Sequence, residues 1–286
     1  MSKVYFTKDL TSQGLIKIYQ ALNVKLEGEI GVKIHSGEKG NQNFLRPDFW
    51  KPLIDLVDGV VIECNTAYEG ERNTTKKHLK LLNDHEWSKY FKVDILDSEG
   101  DLKLKVLNGK YLTTNYVGAN IVNYDSLLIL SHFKGHPMGG FGGSLKNISI
   151  GLASSYGKAV IHGAGNPDKI WNSNHDAFLE SMAEAASSIM EYKKDKIAFI
   201  NVMKNMSVDC DCCSVAEDPK IADIGILASL DPVALDKACL DLVYNSNDPK
   251  KADLIERIES RNGMLTVLKA SELNVGSMEY ELINID

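Results

Sequence analysis

Short runs of β-branched and aliphatic residues alternate with amphipathic stretches along almost the whole of this 286-residue chain, and no other feature constrains the fold as tightly. Strands that alternate with helical patterns build βαβ units, whose crossovers lay the strands side by side in parallel. The expected class is therefore α/β, a mainly parallel sheet with helices on both faces. Val4 to Phe6, Ile30 to Ile34, Val60 to Ile62, Phe91 to Leu96, Leu127 to Leu130, Lys158 to His162, Ile197 to Val202 and Ile224 to Ala228 read as strands. Helices are expected after Thr11-Ser12, from Pro47, over Thr74 to Leu82, over His175 to Tyr192, after Asp231-Pro232 and around Pro249 to Ile258, where caps or a first-turn proline open them. Leu102 to Leu107 and Tyr111 to Thr113 flank Asn108-Gly109 and read as a β-hairpin excursion with a two-residue turn. With no fixed-period repeat and no Pro/Ser-rich linker, residues 1–286 read as one composite domain, with a sub-boundary near 115–125 as the alternative.

Composition narrows the function classes. Lys plus Arg number 32 against 39 Asp plus Glu, a net charge of -7, so broad electrostatic binding to nucleic acid or anionic lipid is disfavoured. No apolar run approaches the ~20 residues that cross a bilayer, and Met1 to Phe6 lacks a secretory apolar region. Five cysteines, an odd number, suit a reducing cytoplasm. Oligomeric state is not legible.

Four segments that follow strands carry the chemistry, and in a parallel sheet the carboxyl ends of strands share one edge. The densest is Ser131 to Gly151, where Gly142, Gly143, Ser144, Lys146 and Asn147 outline a cradle for an anion. It is neither a Walker A loop nor a complete dinucleotide fingerprint. His132 and His136 lie four apart in it, as candidate proton-transfer groups or, on a helix, ligands of one metal. The second segment, VDCDCCS, compresses Cys210, Cys212 and Cys213 into four residues. Such crowding calls for a metal, a proton or a cation. It is neither a paired zinc motif nor a cubane motif, yet three thiolates with a histidine such as His162 suit iron or zinc. Lys33 and His35 in the third segment and Arg72 in the fourth add cations for a carboxylate or phosphate and a further proton-transfer group. Cys64 and Cys239 read as core fillers.

The strings VKIHSGEKGN, NTAYEGERNTTKKH, HFKGHPMGGFGGSLKNISIG and CDCCSVAEDPKIADIGILASLDPVALDKACLDLV resemble the domain of unknown function 362 family, whose members are often described as iron-sulfur-centre proteins. Many members carry a ferredoxin-like insertion after the segment that matches Lys158 to His162. Here Gly163 to Asn174 holds no cysteine, so a ferredoxin-type four-iron cluster is not expected. The resemblance leaves the reaction of the core open. The residues favour an enzyme core with a small anionic ligand, a Cys/His-bound metal and redox-related chemistry being one version. The alternative is a non-catalytic binding, carrier or assembly protein without the electron-transfer module.

Overall fold

The apolar runs form the strands that their spacing predicts, and the computed structural model describes residues 1–286. Twelve strands are present: β1 Ser2–Thr7, β2 Ile30–Lys33, β3 Val60–Glu63, β4 Val93–Ile95, β5 Asp101–Lys105, β6 Thr114–Gly118, β7 Ser126–His132, β8 Lys134–His136, β9 Gly140–Gly142, β10 Ile197–Met203, β11 Gly225–Ser229 and β12 Tyr280–Asn284. Eight make one sheet in the order β12-β1-β11-β10-β7-β2-β3-β4. Seven run parallel, and β11 alone opposes them because it follows β10 through a loop without a crossover helix. The fold is thus the expected α/β class, with β5-β6 and β8-β9 as small antiparallel hairpins.

Period-two alternation sends successive side chains of the central strands to opposite faces. Val32, Leu128, Leu130 and Ile200 pack under helices Ser12–Ala21 and Pro47–Leu56, while Ile62, Ile129 and Phe199 join the larger core across the sheet. Each fully buried side chain of this size contributes about 1.5–3 kcal/mol. The long helix His175–Lys193, capped by Asn174, is buried at 12 of its 19 positions. No helix is long and apolar enough to cross a membrane.

Two local expectations are corrected. Lys158 to His162 is not a strand but the end of helix Ser155–His162, which Ser154 caps by accepting from Gly157 N–H at 2.9 Å. The hairpin pairs β5 with β6 across residues 106–113 instead of turning at Asn108-Gly109. Its loop wraps a buried carboxylate: Glu184 accepts from the backbone N–H groups of Lys110, Tyr111 and Leu112. Three bonds to one anion outweigh the local turn preference.

Candidate functional site

Strands β2 and β3 run outward on one side of the sheet and β7 begins the return, so the order reverses between β2 and β7. A cleft is expected where two such neighbours send the chain in opposite directions. A cavity of about 820 Å³, including its open mouth, lies there at the carboxyl ends of β2, β3 and β7. Lys33, His35, Arg72, His132, His136, Gly142, Gly143, Lys146, Asn147, His162 and Cys212 all line it, so each of the four singled-out segments reaches one hollow.

Most cations of the wall are already paired. Lys33, 1% exposed, lies 2.7 Å from Glu63, which is 4% exposed and also accepts from Ser36 N–H at 2.8 Å. Burial acts to raise the Glu63 carboxyl, but the Lys33 ammonium overrides it and holds the group below the usual carboxylate range. Arg72 donates to Glu38 at 3.0 Å and to the Tyr68 hydroxyl at 2.8 Å. The Asp211 carboxylate lies 2.9 Å from both His132 and Lys134. The other nitrogen of His132 meets the Lys204 carbonyl at 2.6 Å. That ring ties the thiol loop to β7, and both its nitrogens are engaged away from any ligand. Lys146 has no carboxylate partner, and neither has Lys158, whose ammonium donates to the Ala153 carbonyl.

The glycine segment differs from the cradle expected of it. Gly135 and Gly140–Gly142 fold into the β8-β9 hairpin, and Gly140 takes the left-handed conformation at φ +77°. Gly143 is the cap of helix Ser144–Ser149. The N–H groups of Ser144 and Leu145 donate to the Asp236 carboxylate at 2.8 and 2.9 Å, and the Ser144 hydroxyl donates to Asn201. The helix start is therefore filled by the protein's own anion, and a Cβ on Gly143 would fall 2.4 Å from Asp236. Ser144 is fully buried and is a structural residue. Burial pushes Asp236 up to about 6 against three donors that lower it. Asp236→Ala should cost about 2–3 kcal/mol, because two buried N–H groups lose their partner; chemical denaturation measures it, and a change under ~0.5 kcal/mol would contradict the assignment.

The thiol loop is clipped down by amides. Asn41 donates to the Cys213 carbonyl at 2.8 Å, Gln42 to Ala216 at 2.6 Å and Asn43 to Glu217 at 2.7 Å. Donor atoms of His136, Cys210 and Cys212 all lie within 4.8 Å of one another. Cys213 and His162, expected in the same set, are not in this group. His162 instead meets the Lys158 carbonyl at 2.7 Å and stacks on Phe178 at 4.8 Å, as its place at the end of a helix dictates. His132 is also absent from the group, since β7 and β8 do not supply the helical spacing.

Backbone bonds fix the imidazoles. Nδ1 of His136 accepts from Met138 and Gly139 N–H at 3.1 and 2.8 Å, and Nδ1 of His35 accepts from Gly37 N–H at 3.1 Å. In a neutral ring the proton then sits on Nε2, which for His136 faces the Cys212 sulfur at 3.8 Å. Burial lowers both histidines to about 4, with the Cys210 thiol acting to raise each. A histidine that ligates a metal normally donates its second N–H, whereas here that nitrogen accepts. Cys210 and Cys212 suit a soft ion, but His136 would join them only after losing two backbone bonds, and two thiolates fall short of a closed four-ligand site.

Sequence reading missed three groups. Asp211 sits between the cysteines it anchors, and Asp236 is a lone carboxylate on the apolar face of helix Pro232–Tyr244. Lys158 was hidden by the strand reading, although Ser154 signalled a helix start. Ile170 and the exposed Trp171 complete the mouth, with Trp171 6.5 Å from Tyr68.

The profile of the family described as domain of unknown function (DUF362) matches residues 30–241. A search of curated proteins finds no match. Among solved structures, the lactate racemase apoprotein from Thermoanaerobacterium thermosaccharolyticum is similar at 15% identity and TM-score 0.43, over 71% of this chain and 50% of that one. A protein from Thermotoga maritima is similar at 12% identity and TM-score 0.47, over 91% of this chain and 58% of that one. The chain therefore spans about half of the first structure and under three fifths of the second.

Proposed function

We propose that this chain, which belongs to the DUF362 family, is an enzyme core whose cavity binds a small carboxylate or phosphate and acts on it with buried imidazoles, thiols and amines. The observation that carries the reading is an imbalance of charge. Lys33, Arg72, Lys134, Lys146 and Lys158 line the cavity, and carboxylates pair with the first three only. Lys146, left uncompensated in a concave, poorly solvated wall, concentrates an anion there. Lys146 is the anchor, flanked by Asn147, whose amide is held by the Leu130 carbonyl and the Ser131 hydroxyl at 3.2 and 3.0 Å.

Against that anion, His35 and His136 work as neutral imidazoles. With values near 4 they carry no charge at pH 7, and the proton held on Nε2 can polarise an oxygen of the ligand. The Cys210 and Cys212 thiols lie alongside. Lys33 and Arg72 keep their carboxylates and act as fixed walls that shape the pocket.

Thermal unfolding in inorganic phosphate tests the reading. Phosphate at about 100 times its Kd should stabilise the protein by about 2.7 kcal/mol, and Lys146→Ala should lose most of that gain. Equal stabilisation of both proteins would refute Lys146 as anchor, and no stabilisation by phosphate or by acetate would refute the anion site.

A further inference from the structure

Lys158 is the cation of the cavity that the wall supports least. Three independent features of the fold work against its positive charge. It is buried, 7% exposed, where an ammonium loses hydration. It stands in the opening turns of helix Ser155–His162, the end at which backbone N–H dipoles repel a cation. No carboxylate lies within ion-pair reach, and its recorded bond is to the Ala153 carbonyl, while Lys33 and Lys146 line the same cavity. Burial, helped by Lys33, pushes the amine below the usual lysine value against the Cys64 thiol and the more distant Asp97 and Glu63 carboxylates, which act to raise it.

We infer that Lys158 is a nucleophilic amine that condenses with the carbonyl of an anionic aldehyde or ketone, such as a 2-oxo acid, bound in this cavity. The inference rests on the anion-binding reading and names the substrate class within it. Amines become nucleophiles in proteins by desolvation or by a neighbouring cation, and both act on Lys158. The step balances without a redox partner. The neutral Nζ lone pair adds to the carbonyl carbon, the C=O π pair moves to oxygen, and the oxygen leaves as water with the two protons that nitrogen gives up. The product is a C=N bond from Lys158 to the substrate carbon. Lys146 holds the carboxylate or phosphate meanwhile.

The experiment uses glyoxylate, the smallest aldehyde that also carries a carboxylate, with cyanoborohydride to reduce the imine to a stable carboxymethyl adduct. Peptide mapping of the intact protein at neutral pH should place the fastest adduct on Lys158, ahead of every exposed lysine, as a lowered amine pKa requires. Inorganic phosphate should protect it, and Lys158→Arg should remove it while the thermal response to phosphate survives. Because the wild-type map is decisive by itself, the inference stays testable even if Lys158→Arg fails to fold. Adducts confined to exposed lysines or to Lys146, with Lys158 unmodified and phosphate still stabilising, would overturn the inference and leave the anion site standing. Absence of both the adduct and the phosphate response would bring down the two together.

Discussion

Asp211→Asn is expected to destabilise the protein by about 3–5 kcal/mol, a large share of the 5–15 kcal/mol that a folded chain ordinarily holds in reserve. The reason is burial on both sides of the contact. Asp211 is 1% exposed and Lys134 5%, and the same carboxylate receives His132. Removing its charge leaves the Lys134 ammonium inside the protein with no counter-ion and the His132 ring without its carboxylate partner. Asp211→Asn combined with Lys134→Met should recover much of the loss, since the desolvated charge is then gone as well. The exposed pair Lys51–Asp55 is the control, for which Asp55→Asn should cost under ~0.5 kcal/mol. Denaturant midpoints at constant slope measure all three variants.

The sign with pH follows from the same contact. Burial acts to raise Asp211, yet His132 and Lys134 hold it far below its ordinary 3.8. A carboxyl depressed in the folded state contributes stability that is complete above the unfolded value and is lost as pH falls through the folded one. The Asp211 contribution should thus be intact at pH 5 and above and decline through strongly acidic pH. Because Asp211 also holds the loop of Cys210 and Cys212, alkylation of those thiols should quicken in Asp211→Asn.

Glu63→Gln is the second large effect, about 3 kcal/mol or more. It is nearly isosteric, so what it removes is the charge that faces Lys33 at 2.7 Å. The ammonium would keep the Ile34 carbonyl and at most a neutral amide oxygen, and the wall between β2 and β3 would carry an uncompensated cation. Lys33→Met in the Glu63→Gln background should restore stability, which separates loss of the ion pair from loss of the Ser36 bond. Glu63 is depressed below its ordinary 4.5, so this contribution too persists above that pH and fades under acid. A Glu63→Gln protein that unfolds at the wild-type midpoint would contradict the pairing.

The gathering of distant segments at one rim was legible because it depends on topology alone: parallel strands end on one edge whatever their loops contain. Lys33, Arg72, Lys146 and Cys212 meet there for that reason. What each of them does once there was not legible, because the deciding partner lies far off in the chain. Asp236 is 92 residues beyond the Ser144 N–H it fills, and Asp211 is 79 beyond the His132 it fixes. A glycine run reads as an open cradle until the carboxylate that occupies it is known. Lys158 to His162 was misread for a local reason. Ala-Val-Ile between two polar residues has strand composition, and only the Ser154 cap and the terminal Gly163 argued for the helix that forms. The i,i+4 spacing of His132 and His136 carried no weight because β7 and β8 are extended, so the two rings point to different partners.

Diffraction from crystals grown in phosphate is the most direct test of the central claim, that one cavity at the β2-β7 switch point is built to take an anion. The ion should appear inside the hollow within hydrogen-bond reach of Lys146 Nζ, and should be missing from the same place in Lys146→Ala. Phosphate found only on the outer surface, with the cavity holding water in both proteins, would contradict the account.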